Sequence, residues 1–137
     1  MKWRLVDHRA DTGFEAEGDT LEEVFMSAAA AFLFICTELT AEELSGHERE
    51  EENISISAAD NEELAVSWLN ELLFRMETRS EVFIAQNIKI SMSPPTLEAK
   101  GRKVRMVFDS LPVKAATYGG MELRRYPRPF LRIFLDI

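Results

Sequence analysis

The stretch that decides the fold is residues 60–76, DNEELAVSWLNELLFRM. Asp60 or Asn61 supplies the short polar side chain that caps a helix N-terminus. Apolar residues at helical spacing then predict an inward stripe, which consists of Leu64, Ala65, Trp68, Leu69, Leu72 and Met76. Further apolar residues such as Val66 and Leu73 lie off this stripe, so we expect the helix to be central.

A second helix is predicted upstream, capped by Asp19 or Thr20 and running to about Leu39. Thr20 and Glu23 have the spacing of a capping box, in which a hydroxyl and a carboxylate each accept from a free backbone N–H. Apolar residues continue through it at helical period: Leu21, Val24, Phe25, Ala28, Phe32, Ile35, Cys36 and Leu39. Residues 3–6 and 14–17, which precede this helix, have the pattern of short strands.

Strands dominate the rest of the chain. The predicted strands are residues 53–57, 82–92, 96–99, 104–108, 113–118, 121–123 and 130–137. Breaks such as Gly101 and Gly119-Gly120 separate them, and residues 40–52, rich in Glu, predict an exposed connection. The predicted strands and the two long helices do not alternate regularly along the chain. This order indicates an α+β fold with the helices packed on a mostly antiparallel or mixed β-sheet. We expect one domain over residues 1–137.

The charge of the chain is unevenly distributed. Residues 1–70 contain 4 Lys or Arg and 17 Asp or Glu, whereas residues 71–137 contain 12 and 7. The formal net charge of −8 argues against a protein that grips nucleic acid over a broad surface, because that mode needs a positive field. We therefore expect no stable direct binding of nucleic acid. The acidic half is either a solvated surface or a docking face for a basic partner.

The sequence also bears on compartment and redox chemistry. It contains no apolar run long enough to span a bilayer, and Met1–Arg4 lacks the apolar run of a secretory signal. We expect a soluble cytoplasmic protein without membrane contacts. Cys36 is the only cysteine, so a disulfide within the chain and a cysteine-based zinc site are both excluded.

Polar and ionisable groups concentrate in residues 7–13, DHRADTG, directly after the first predicted strand. A turn at this place can point several oxygens toward one spot. Asp11 either caps the backbone N–H groups of the turn or holds a metal ion. We expect His8 to be a hydrogen-bonded structural histidine.

The last strand brings two anionic groups together, the Asp136 side chain and the terminal carboxylate of Ile137. They repel each other unless a cation lies between them, and hard cations such as Ca²⁺ or Mg²⁺ prefer oxygen ligands. The alternative is a frayed terminus with Asp136 in solvent. Lys114 interrupts an otherwise apolar strand, and its ammonium faces either solvent or an acidic site or partner.

Together these segments resemble the archease family. The counterparts of the family pattern are HRADTG at 8–13, TLEE at 20–23, WLNELL at 68–73, KAATY at 114–118 and the final Asp136-Ile137. The five blocks occur in order and span nearly the whole chain. The resemblance implies an archease-like α+β fold.

The resemblance also implies a site and a role. The metal ligands would be Asp11, Asp136 and the C-terminal carboxylate of Ile137, holding a divalent cation, with Ca²⁺ ahead of Mg²⁺ or Mn²⁺. The partner would be an RtcB-type RNA ligase of tRNA splicing and repair, whose guanylylation and multiple turnover the family promotes. Lys114 matches a lysine linked to that activation, and this chain would carry no catalytic residue of its own.

Three positions depart from the family pattern. Arg9 replaces the usual Thr, Thr12 the usual Ile, and Gly119-Gly120 follow Tyr118 where a His is common. Two other functions stay open. One is a chaperone or modulator of another RNA-modifying enzyme, such as a tRNA methyltransferase. The other is a metal-dependent hydrolase that uses Asp11, Asp136 and a bound water.

Overall fold

The computed structural model describes residues 1–8, 11–47 and 50–137, and it describes side chains at all of these positions except 7, 8 and 11. The helices are α1 (Leu21–Thr37), α2 (Ala41–Leu44) and α3 (Asn61–Arg79). The strands are β1 (Lys2–His8), β2 (Asp11–Glu17), β3 (Glu50–Ser57), β4 (Glu81–Ser91), β5 (Thr96–Arg105), β6 (Ala115–Arg124) and β7 (Phe130–Asp136).

Helix α1 begins at the predicted cap. The Thr20 hydroxyl accepts from the Glu23 N–H at 3.1 Å, while the Glu23 carboxylate accepts from the Asp19 N–H at 2.9 Å. The carboxylate therefore binds one residue further upstream than in a capping box. The helix ends at Thr37, slightly before the predicted Leu39, because Glu38 takes the left-handed conformation with a φ of 62° and stops it.

Helix α3 is central, as the sequence predicts. The Asp60 side chain caps it by accepting from the Glu63 N–H at 2.7 Å. Trp68 is fully buried, and its indole N–H donates to the Phe25 carbonyl of α1 at 3.1 Å. Its ring also meets the Phe83 ring edge-on, with the centroids 6.3 Å apart. One side chain thus joins both long helices to the sheet that contains β4.

The α+β fold class is confirmed. Within the described residues the strands form two sheets, in the orders β1-β2-β7-β6 and β3-β5-β4, and every pairing is antiparallel. Helix α1 packs on strands of both sheets, and α3 packs on β6, β4 and β3. The core that these layers enclose includes the fully buried residues Phe14, Phe25, Phe32, Leu64, Leu69, Leu97 and Ile133.

Two predicted strand breaks are wrong. Residues 96–99 and the first two of residues 104–108 belong to the single strand β5, because Gly101 lies inside it instead of turning the chain. A Cβ on Gly101 would stand 2.2 Å from the Ile84 carbonyl oxygen, so the glycine allows a close approach of β4 and β5. From position 115 onward, the predicted strands 113–118 and 121–123 likewise merge into β6, with an irregular register between Thr117 and Glu122.

The predicted connection over residues 40–52 contains the one-turn helix α2. Its capping box is complete: the Thr40 hydroxyl accepts from the Glu43 N–H, and the Glu43 carboxylate accepts from the Thr40 N–H. Leu44, the last residue of α2, is buried. Strand β3 then begins at Glu50, three residues before the predicted Asn53, because it pairs with β5 as far as Lys103.

A buried ion cluster joins α3 to the sheet of β3, β5 and β4. Arg75 is 8% exposed and lies 2.7 Å from Glu52 and 3.1 Å from Glu71. The contact to Glu52 is an ion pair without the alignment of a hydrogen bond. Lys103 lies 3.8 Å from both Glu52 and Glu81, so the cluster is held by charge on several sides.

None of the helices in residues 1–8, 11–47 and 50–137 combines the length and apolar character needed to cross a membrane.

Candidate functional site

The predicted site residues meet at one end of the β1-β2-β7-β6 sheet. The Lys114 N–H donates to the Asp136 carbonyl at 2.7 Å, and the following residue, Ala115, pairs with Asp136 in the β6–β7 ladder. Lys114 thus lies just before β6 and not within a strand as predicted. The side chains of Lys114, Asp136 and Ile137 are all exposed at this end.

The same end receives the start of β2. Thr12 of β2 pairs with Leu135 of β7; Asp11 precedes Thr12 in β2, and Asp136 follows Leu135 in β7. Of the residues 7–13 predicted as a turn, residues 7 and 8 belong to β1 and residues 11–13 belong to β2. Arg9 and the side chains of His8 and Asp11 lie outside the described residues.

The donor chemistry at this end suits a hard cation. The described candidates, Asp136 and Ile137, offer oxygen atoms only, as Ca²⁺ and Mg²⁺ prefer. Among the side chains that the structure describes, no group of three His, Cys, Asp or Glu residues comes together to hold a metal. The third predicted ligand, Asp11, is not among them, so the complete ligand set stays a prediction.

The strand that follows Lys114 is fixed by a side chain that sequence reasoning did not select. Asn70 of α3 accepts from the Ala116 N–H at 2.8 Å and donates its amide to the Ala116 carbonyl at 3.4 Å. The amide thereby pairs with the backbone of β6 as a neighbouring strand would. The sequence offers two signals: a polar residue beside the apolar stripe, between Leu69 and Leu72, and its place in the WLNELL block at 68–73.

Tyr118 lies where β6 approaches the start of α3. Its side chain is 55% exposed. Desolvation, followed by the negative charges of Glu63 and Asp60, raises the pKa of its phenol above the ordinary value of 10.0. The group therefore stays protonated at neutral pH and can act as a hydrogen-bond donor at this edge.

A row of charged side chains crosses the outer face of the same sheet. The register places Arg4, Glu15, Arg132 and Glu122 side by side on β1, β2, β7 and β6. Glu15 is 7% exposed and accepts from Arg4 Nε at 2.7 Å and from Arg132 Nε at 2.9 Å. Glu122 lies 3.6 Å from Arg132 and pairs closely with Arg124.

Glu15 is held in its charged form by this row. Burial alone raises the pKa of its carboxyl, but the hydrogen bonds from Arg132 and Arg4 outweigh that effect and bring the pKa below its ordinary value. Because side chains alternate between the two faces of a strand, the sequence predicts which residues of each strand share a face of the sheet. The sequence does not show which strands neighbour each other, so the row could not be assembled from it.

Cys36 is not a candidate nucleophile. Its side chain is 7% exposed, and burial, with a smaller contribution from the charge of Glu77, raises the pKa of its thiol to about 12. The reactive thiolate is therefore scarcely populated at neutral pH.

Comparison with known families agrees with this architecture. The family model described as Archease protein family (MTH1598/TM1083) matches residues 3–137. Protein archease of Methanosarcina barkeri is 32% identical over 131 residues, covering 90% of this chain and 87% of that protein. Protein archease of Methanothermobacter thermautotrophicus is 34% identical over 126 residues, covering 88% and 87%.

Solved structures show the same fold. The solution structure of Methanobacterium thermoautotrophicum protein 1598 superposes with a TM-score of 0.69 at 28% identity and covers 98% of both chains. The crystal structure of an archease, a possible chaperone, from Thermotoga maritima has a TM-score of 0.62 at 19% identity and covers 98% of this chain and 96% of that one. On the strength of the family match over nearly all of its residues, this chain belongs to the archease family.

Proposed function

We propose that this protein is a non-catalytic activator of an RtcB-type RNA ligase in tRNA splicing and RNA repair. The sheet end that carries Lys114, Asp136 and Ile137 would contact the ligase and promote its guanylylation and its multiple turnover. The observation that carries the proposal is the 2.7 Å hydrogen bond from the Lys114 N–H to the Asp136 carbonyl. It fixes the residue predicted for activation beside two predicted metal ligands, in a chain of the archease family.

The residues at this end have distinct tasks in the proposal. Asp136 and Ile137, with Asp11, would hold a divalent cation, which would neutralise the repulsion between their carboxylates. Asn70 would hold β6, and with it Lys114, in place against α3. The exposed Lys114 ammonium would then be available to an anionic group of the ligase.

A role without catalysis of its own agrees with the chemistry of the described residues. The Cys36 thiol is buried and protonated, and the Tyr118 phenol is protonated at neutral pH. Neither is a ready nucleophile or general base. A metal-dependent hydrolase would need a separate general base close to Asp136, and the Lys114 backbone N–H that donates to the Asp136 carbonyl cannot serve as one.

The direct test is GTP-dependent guanylylation of the cognate ligase under multiple-turnover conditions. Wild type should accelerate the reaction. Asp11→Ala, Asp136→Ala, Lys114→Ala and a chain lacking Ile137 should lose most of the acceleration while remaining folded. Lys100→Ala and Asp109→Ala are matched controls, because both side chains are exposed and lie outside this sheet end.

If wild type has no effect on the ligase, the activator proposal is wrong. The alternative is that the same sheet end serves another RNA-modifying enzyme, such as a tRNA methyltransferase. A pull-down with this protein from an extract of the source cell would test it by showing which enzyme is retained. Phosphoester substrates offered with and without Ca²⁺ test the hydrolase. Turnover that Asp136→Ala abolishes would contradict the non-catalytic role.

A further inference from the structure

The middle of β6 bulges away from β7. Residues 115–117 pair with residues 136–134, and residues 122–124 pair with residues 132–130. Four residues of β6, 118–121, therefore lie opposite Ile133 alone. Such bulges bend a strand and often adjoin binding sites. Two consecutive glycines, at 119 and 120, occupy this bulge.

The bulge leaves room at its centre. A Cβ on Gly119 would meet nothing within 4 Å, whereas Gly120 has a φ of +71° and lies against the Phe134 ring. The result is an open cavity of about 620 Å³ on the outer face of the sheet. Its walls consist of Arg4, Val6, Glu15, Gly119, Gly120, Arg132 and Phe134. This volume lies within the range of about 300–1,000 Å³ that small-ligand sites occupy.

One wall of the cavity carries an excess of positive charge. Arg4 and Arg132 share the single carboxylate of Glu15, while Glu122 has its closest partner in Arg124. The shared carboxylate orients both guanidinium groups and neutralises one of them. Because the side chain of Arg4 is 75% exposed and that of Arg132 is 37% exposed, N–H groups remain available to an anion.

The neighbouring row on the same sheet face is apolar, because Val6 and Phe134 lie two residues beyond Arg4 and Arg132 on β1 and β7. Phe134 and Val6 are both partly buried and offer an aromatic ring and an aliphatic side chain beside the guanidinium pair. An anionic group joined to a flat ring can contact both rows at once, since rings stack on aromatic side chains. The net charge of −8 opposes a long polyanion, but one phosphate group depends mainly on the charge next to it.

We propose that this cavity binds a phosphate monoester attached to a flat ring system, of which a nucleotide is the common biological form. The phosphate contacts Arg4 and Arg132, and the ring lies over Phe134. The site is on the outer face of the sheet, apart from the Lys114 backbone contact, and it stands independently of the proposed ligase role.

The test is a titration of the full chain with AMP, followed by NMR of the Gly119 and Gly120 amides and of the Arg4 and Arg132 Nε–H groups. These signals should shift and saturate. Adenosine and inorganic phosphate should each bind about tenfold or more weakly, because each lacks half of the contacts. A four-nucleotide RNA with a terminal phosphate distinguishes a free nucleotide from the end of an RNA strand as the ligand. Tighter binding than AMP indicates a strand end, and equal or weaker binding indicates a free nucleotide.

Two variants locate the site. Arg4→Gln removes one guanidinium from an exposed position, and Gly119→Leu places a side chain where the cavity is open. Each should weaken AMP binding about tenfold in a chain that still unfolds cooperatively, whereas Lys100→Gln should leave AMP binding unchanged. Absence of saturable shifts overturns the proposal, as does AMP binding that both variants leave intact. Phosphate binding as tight as AMP binding overturns the assignment of the ring to Phe134.

Discussion

The side chain of Asn70 pairs with the backbone of Ala116, 46 residues further along the chain, by accepting from its N–H and donating to its carbonyl. Strand β6 is at the edge of its sheet, where backbone groups lack a neighbouring strand. The Asn70 amide takes the place of that neighbour for one residue. It thereby ties α3 to the strand that begins directly after Lys114.

We predict that Asn70→Leu lowers the free energy of unfolding by about 1–3 kcal/mol, because it leaves the partly buried Ala116 N–H and carbonyl without this partner. Urea denaturation measures the change. Asn70→Asp keeps the acceptor and loses the donor, so it should cost less. The exposed Asn87 offers a matched Asn→Leu control on β4. Equal losses for Asn70→Leu and Asn87→Leu would contradict the pairing.

Stability should fall in acid through Glu15. The pKa of its carboxyl is lower in the folded protein than the ordinary value of 4.5, so folding favours the ionised form. Its contribution is complete above about pH 4.5 and is lost as the pH falls through the folded-state pKa. Glu15→Gln should therefore be less stable than wild type at pH 7, and the difference should shrink below pH 4.5.

Urea denaturation at pH 7, 4.5 and 3 measures this convergence. The exposed Glu98 supplies a control, since Glu98→Gln should leave the pH dependence close to that of wild type. A constant gap between Glu15→Gln and wild type over this range would show that the Arg4 and Arg132 contacts do not depend on the carboxylate charge.

Local signals predicted the helices well. Thr20 and Asp60 cap their helices through contacts with residues three positions away, and Trp68 lies in a stripe defined by neighbours on one helix. The structural role of a glycine within a strand is harder to predict from the sequence. Gly101 has the composition of a turn, but its role is set by the Ile84 carbonyl on the adjacent strand, and a single sequence does not show that proximity.

The site was predictable only in part. The resemblance to a family pattern selected Lys114, Asp136 and Ile137, and the structure brings these three residues to one sheet end. The pairs that shape the surroundings join distant segments. Glu15 and Arg132 are 117 residues apart, and their contact depends on β2 and β7 being neighbours. Periodicity gives the face of a strand and not its neighbours.

Arg75 should contribute more to stability than the other arginine near Glu52. Arg75→Met removes a guanidinium that is 8% exposed and leaves Glu52 and Glu71 less compensated, so we expect a loss of about 2–4 kcal/mol. Arg79→Met is the matched control. Its side chain is 47% exposed and lies 4.0 Å from Glu52, so it should cost less than about 1 kcal/mol. Similar denaturation midpoints for the two variants would contradict a stabilising buried cluster.

Two glycines in strands should respond in opposite ways to alanine. At Gly101 the added Cβ would meet the Ile84 carbonyl oxygen at 2.2 Å and the Phe83 ring at 2.6 Å, so β4 and β5 would have to separate. We expect Gly101→Ala to cost about 2 kcal/mol or more. At Gly119 the added Cβ would point into open space, and the change should stay within about 0.5 kcal/mol. Thermal and urea unfolding of both variants measure the contrast. Equal sensitivity would mean that β6 packs more tightly at its bulge than its register implies, and it would also remove the room on which the phosphate site depends.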